Sequence, residues 1–195
     1  CLIFASVFVW SAIAPYDRLT WALEVAPAAI AAIILVTSRV GFPLTSLAYI
    51  LILIHCIILM IGGHYTYAEV PLFNAIQDFF GSNRNNYDKI GHFAQGFIPA
   101  IITREIVIRH HVFNHVSWQN FFIICFCLAF SAFYELIEWI TALLSGEAAQ
   151  AFLGTQGYVW DTQSDMGYAL LGAIISLLLL RRYHDQQLKA FLSRH

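Results

Sequence analysis

The chain has 195 residues, 59% of them apolar, with a mean hydropathy of +0.69 and a net charge of −2. Soluble domains average about 45–50% apolar residues, so the excess calls for a lipid-facing surface. The charge leaves no basic field for nucleic acid, the absence of any C-x-x-C pair argues against a zinc knuckle or disulfide framework, and the length fits one domain, residues 1–195.

A bilayer core about 30 Å thick needs about 20 mostly apolar helical residues. In chain order, residues 1–14, 21–37, 43–63, 91–107, 121–144 and 165–180 qualify or come close. The first run is short and opens at Cys1; Ala12-Ile13-Ala14 looks like a signal-peptidase site, but Pro15 would follow the cut, so the run is read as a retained membrane helix. None of the six alternates with a period of two, and an open strand edge does not survive in lipid. The expected fold is therefore all-α: a polytopic membrane helix bundle of about six transmembrane helices.

Pro15, Gly41 with Pro43, Gly62-Gly63, Gly81 and Gly146 punctuate the runs, while Pro27 and Pro99 fall inside spans as kinks. Between the third and fourth runs, residues 72–86 place Phe73, Ile76, Phe79 and Phe80 at the spacing of a short helix lying on the membrane surface. Together with residues 148–157 this segment is expected to roof the outer face. With both termini cytoplasmic, Arg39, Arg104, Arg109, Arg181, Arg182, Lys189 and Arg194 lie inside and only Arg18, Arg84 and Lys89 outside, as the positive-inside bias requires.

In that topology five helices bring polar groups to the outer level. Glu24 opens the second, His64-Tyr65-Thr66-Tyr67 ends the third, and Asp88, His92 and Gln95 form an i, i+4, i+7 stripe on the fourth. Glu135 and Glu138 close the fifth, and Asp161 and Asp165 introduce the sixth. Carboxylates gathered around imidazole coexist either by sharing protons or by surrounding a divalent cation, and acid stripes on facing helices are how bundles build metal sites. The expected metal ligands are Asp88, His92, Glu138, Asp161 and Asp165, with Zn, Mn, Fe or Mg as the cofactor. Glu135 is the expected general base and His64 the expected proton donor to a leaving group.

Plainer roles compete residue by residue. Asp88, Asp161 and Asp165 sit where helix caps sit, although capping does not explain Glu135 and Glu138, which oppose the dipole at a helix end. Tyr65, Tyr67, Trp139, Tyr158 and Trp160 suit an interfacial aromatic belt. His111 and His115 read as solvated, His55 as a buried hydrogen-bonding histidine, and Arg104-Glu105 as an inner ion pair or a snorkelling pair. Gly154, Gly157 and Gly172 read as turn or packing glycines. Cys56, Cys125 and Cys127 read as small buried hydrophobes.

His64-Tyr65-Thr66-Tyr67 with Val70-Pro71, Tyr87-Asp88 through Phe97, Ser131-Ala132 through Trp139 and Phe152-Leu153 through Met166 closely resemble the bacterial inner-membrane YjdF family, whose function is unknown. The likeness runs from the first loop to the last helix and implies a multi-pass inner-membrane protein. One departure is Tyr158, where that family often carries an acid. Asp88-Lys89-x-x-His92-Phe93, a later helix-end Glu and an Asp before a glycine-containing last helix give a looser likeness to VanZ-like membrane proteins, which implies a cell-envelope theme. The expected partners are the lipid bilayer and a lipid or lipid-linked substrate. The expected activity is metal-dependent hydrolysis at the periplasmic face; a proton-coupled transporter or solute-binding protein, and a non-catalytic envelope scaffold, are the alternatives.

Overall fold

A computed structural model of the chain describes residues 2–145 and 156–193. The helices are α1 (Leu2–Ala12), α2 (Arg18–Ser38), α3 (Ser46–Tyr65), α4 (Pro71–Phe80), α5 (Tyr87–Arg109), α6 (Val116–Ser145) and α7 (Asp161–Leu192), with no strand among the described residues. Gly146, Gly154, Arg194 and residues 148–155 of the expected roof lie outside them.

Local chemistry sets several ends. The Asp17 carboxylate accepts the Thr20 backbone N–H at 2.7 Å and starts α2; the Thr45 hydroxyl does the same for Ala48 at the head of α3. Pro71 takes the first position of α4, where a missing N–H costs nothing, and Gly81 ends that helix at φ +62°. Of the expected surface stripe, Ile76, Phe79 and Phe80 are exposed, joined by Leu72, while Phe73 packs its ring on Tyr87.

Four helices, α2, α3, α6 and α7, are long and apolar enough to cross a membrane. The sequence had pointed to about six. The 11-residue, apolar α1 falls outside this set, as does α5, which, though 23 residues long, carries Asp88, Lys89, Arg104, Glu105 and Arg109. Helices also outrun their apolar cores: α7 continues past Leu180 because His184 and Leu188 remain buried against the bundle.

At the centre lies α5, packed on α3, α6 and α7, with α1 and α2 joined to the bundle through α3. The tightest approach is α5 on α7. A Cβ on Gly96 would fall 1.7 Å from the Ala169 carbonyl oxygen, and one on Gly172 would fall 2.2 Å from that of Phe93. Small residues let the two backbones touch, so Gly172 is a packing glycine as expected. Gly157, at φ +81°, is a turn glycine.

The opposite end of the bundle from α4 holds a second polar network. Glu105, fully buried, accepts from the Thr45 backbone N–H at 2.9 Å, the Thr45 hydroxyl at 2.7 Å, Arg109 Nη1 at 3.1 Å and His184 Nε2 at 3.2 Å. Arg104 instead donates to His184 Nδ1 at 2.9 Å and to Asp185. The expected Arg104–Glu105 pair is absent, because adjacent helical residues point about 100° apart. Both ends are buried and bonded rather than snorkelling, and together they pin α7 to α5 and to the start of α3.

Candidate functional site

The ends of α3 and α6 and the starts of α2, α5 and α7 meet at one end of the bundle. Two loop residues hold the junction together. Asn85, fully buried, donates through Nδ2 to the Val70 carbonyl at 3.0 Å and to Asn74 Oδ1 at 2.6 Å, and accepts the Tyr87 N–H at 3.0 Å. Gln156 grips the Asn85 backbone from both sides, accepting its N–H at 2.8 Å and donating to its carbonyl at 2.9 Å. The segments leading into α5 and α7 are thereby locked side by side.

Across this junction Lys89, 6% exposed, donates to Asp165 Oδ1 at 2.5 Å, Asp161 Oδ1 at 2.6 Å and Asp88 Oδ2 at 3.2 Å. Arg84 Nη1 donates to Asp161 Oδ1 at 2.6 Å, and Nη2 to Asp88 Oδ2 at 3.3 Å. Neither α5 nor α7 has a side-chain cap, so Asp88 and Asp161 serve as ion-pair partners and not as caps. Their place in the first helical turn still suits the dipole.

Deeper in, His92 Nε2 lies 3.2 Å from Asp88 Oδ1 and 3.9 Å from Asp165 Oδ2, and one ligand atom from each of the three falls within 4.8 Å of the others. Ligands held about 2.0–2.2 Å from a tetrahedral cation stand roughly 3.3–3.6 Å apart, near the 3.2 Å between His92 and Asp88 and tighter than the 3.9 Å between His92 and Asp165. The other imidazole nitrogen, Nδ1, lies 3.2 Å from Gln95 Oε1. Metal-binding histidines commonly donate their second N–H to such an oxygen, which fixes the tautomer that leaves Nε2 free.

The two glutamates of α6 flank this group. Glu135, 8% exposed, has its Oε1 3.7 Å from His92 Nδ1, and that oxygen is buried without a hydrogen-bond partner. Glu138, 9% exposed, shares a small polar cavity with Glu24, His55, Tyr67, Asp88, His92, Gln95 and Tyr134. The Tyr134 hydroxyl donates to Glu24 Oε2 at 3.2 Å. The carboxyl groups of Glu24, Asp88, Glu135, Glu138, Asp161 and Asp165 thus outnumber the permanent cations Arg84 and Lys89. Such an excess in a buried site is stabilised only by protons or by a further cation.

Of the predicted site residues, the fold brings Asp88, His92, Asp165, Glu135 and Glu138 together. Asp161 is adjacent but engaged by Arg84 and Lys89. His64 faces α1 instead: its Nδ1 lies 3.0 Å from the Ser11 carbonyl oxygen and its ring 4.5 Å from that of Trp10. Glu24 and Gln95, placed at this level by the sequence without a ligand or catalytic role, join the site, as do Tyr134 and Lys89.

Tyr67 is not a belt residue. With Thr66 at φ 60° and Tyr67 at φ 54°, the chain makes a left-handed turn that drives the ring into the slot between Gly62 and Gly91. Backbone strain of this kind, of order 1–3 kcal/mol per residue, concentrates at functional sites. By contrast, Trp139, Tyr158 and Trp160 are exposed, and so are His111 and His115. The Tyr158 ring centroid lies 5.5 Å from the Arg84 guanidinium and 5.8 Å from Lys89 Nζ. An acid at this position would face those two cations, and here the aromatic face meets them.

Beside the polar cavity of about 30 Å³ lies a larger apolar groove of about 420 Å³ between α2, α3, α5 and α6. Both are lined by His55, Leu59, Gln95 and Tyr134, so His55 sits at their junction.

Comparison with known proteins decides the family. Residues 1–186 match the model of a family described as "Predicted membrane protein (DUF2238)". The chain belongs to this family. It is 48% identical over 185 residues to the "Inner membrane protein YjdF" of Escherichia coli (strain K12), covering 95% of this chain and 88% of that protein. No solved structure matches. The chain is thus an integral inner-membrane protein of an uncharacterised family, and the bilayer is its surrounding partner. The looser likeness to VanZ-like proteins finds no support in these matches.

Proposed function

We propose that this protein is a membrane-embedded hydrolase in which Asp88, His92 and Asp165 hold a divalent cation, Zn, Mn, Fe or Mg, at the periplasmic face. The observation that carries this reading is the convergence of three ligand atoms from α5 and α7 within 4.8 Å, beside a buried glutamate oxygen that has no hydrogen-bond partner. The adjoining cavity of about 30 Å³, lined by Asp88, His92 and Glu138, has room for a water or two beside such an ion. The cation would acidify a bound water. Glu135 would take that water's proton as its oxygen attacks the scissile ester or phosphoester, and would return the proton to the departing oxygen. Glu138 lines the adjoining cavity with Asp88 and His92 and would be a further oxygen donor, and Asp161 holds Lys89 and Arg84 in place. His64, held by α1, takes no part.

The wider frame belongs to the same proposal: one domain, six crossings including α1 and α5, both termini cytoplasmic, and a lipid or lipid-linked substrate drawn from the membrane. It draws on the alternation of helix directions and on the seven basic residues counted on the inner side against three on the outer. The test is release of phosphate or fatty acid from lipids reconstituted with the purified protein. Turnover should require added divalent metal and vanish in Glu135→Gln; turnover that persists under chelation contradicts it.

A second reading draws on Lys89, which already neutralises part of the cluster from within. Here the remaining acids, with Tyr134 and Glu24, pass protons as part of a carrier. Solute-driven pH changes in vesicles, abolished by Glu135→Gln, would favour it over hydrolysis.

A further inference from the structure

The apolar groove is larger than any crevice the proposed chemistry needs. Its walls are the small residues Ala28 and Ala31 of α2 and the branched Ile98 and Ile102 of α5, with α3 as its floor and α6 at its rim. α2 packs on α3 while α6 packs on α5 and α7, and α2 and α6 are tied at the polar end, where Tyr134 bonds Glu24. Lining residues run along α2 from Pro27 to Ser38 and along α5 from Gln95 to Ile106. At a rise of about 1.5 Å per residue each wall is about 16 Å long, half the bilayer core of about 30 Å.

Its polar end distinguishes it from an ordinary lipid-facing furrow. There His55, Gln95 and Tyr134 gather, and Pro99, inside α5, supplies no N–H to the carbonyl of Gln95. That end therefore presents both hydrogen-bonding side chains and a backbone acceptor without its helical donor. A volume of about 420 Å³ falls in the range of small-molecule sites, about 300–1,000 Å³. Apart from Ser38 at its far end, whose hydroxyl is bonded to the Ile34 carbonyl, the groove is apolar along its length and polar at His55, Gln95 and Tyr134, which matches the chemistry of an amphiphile.

We propose that this groove seats one hydrocarbon chain of a membrane lipid, with its polar linkage at His55, Gln95 and Tyr134. The inference rests on the hydrolase reading only for what happens at that linkage. Occupancy of the groove stands or falls by itself.

The test uses the full chain in lipid nanodiscs and a phospholipid carrying a diazirine halfway along one acyl chain. After irradiation, mass mapping should place most of the label on groove residues such as Ala31 and Ile98, with less on the exposed Phe133 of α6. Ala31→Trp, which fills the groove, should remove most of the groove label and leave the Phe133 label unchanged. Ile102→Trp, on the opposite wall, should do the same and guards against a folding defect in the first variant. Label spread evenly over the exposed helix faces, or groove label that survives both substitutions in folded protein, overturns the inference. Metal content of the same samples separates the two ideas. Metal-free protein with a labelled groove keeps the lipid site and removes the hydrolase; metal-loaded protein with no groove label does the reverse.

Discussion

Lys89→Met cuts the connection between α5 and α7 at its most charged point. The ammonium contacts Asp88, Asp161 and Asp165, and its side chain is only 7% exposed. In protein stripped of metal by a chelator, Arg84 remains to neutralise Asp161 and Asp88, so Asp165 is the carboxylate left without a permanent cation. Removing one partner of a buried pair costs about 3–5 kcal/mol; with Arg84 still in place, the lower end applies, about 3 kcal/mol. At about 2–4 °C per kcal/mol for a chain of this size, the melting temperature should fall by roughly 6–12 °C. The assay is a thermal melt of purified protein in detergent, followed by intrinsic fluorescence. Adding Asp165→Asn to Lys89→Met removes the stranded charge and should recover most of the loss, a coupling that a double-mutant cycle isolates. A single variant within about 2 °C of the parent, or a double variant no better than the single, would show these carboxylates to be solvated and the argument from burial to be mistaken.

Gly96→Val should separate α5 from α7, since even a Cβ would overlap the Ala169 carbonyl; overpacking of this kind costs about 1–3 kcal/mol and should appear as a lower melting temperature. Asp17→Ala removes the α2 cap at a cost of about 1 kcal/mol, read in the same melt. The Thr20 backbone N–H holds the Asp17 carboxyl below its ordinary value. Its contribution is therefore complete above the unfolded-state value and lost as pH falls through the folded one, so the gap between parent and Asp17→Ala should close in acid. A gap that stays constant into strong acid would contradict the cap.

The sequence was most legible where a pattern repeats along one element. Apolar runs marked the helix cores, and the spacing of Phe73, Ile76, Phe79 and Phe80 marked α4. The level of the polar residues was legible too, because alternating helices carry their ends to the same side, and this brought Asp88, His92, Glu135, Glu138 and Asp165 together. What a single helix cannot reveal is the direction each end faces once packed. His64 shares the level of the cluster but turns to Ser11 on α1. Lys89, counted from its sequence as an outer positive charge, folds inward to the aspartates of α7. Tyr67 enters the site through two left-handed residues that no periodicity encodes. α5 falls outside the helices apolar enough to cross because its charges lower its hydropathy, while its position at the centre of the bundle buries Lys89, Arg104 and Glu105.

Metal content measured on protein purified without chelators bears most directly on the cation site. The account expects about one divalent ion per chain, with X-ray absorption showing nitrogen and oxygen ligands at about 2.0–2.2 Å and no sulfur. Loss of the ion in His92→Ala and Asp165→Asn, but not in His64→Ala, would match the geometry. Protein that stays folded, binds no divalent ion even when it is supplied in excess, and is indifferent to those substitutions would contradict it.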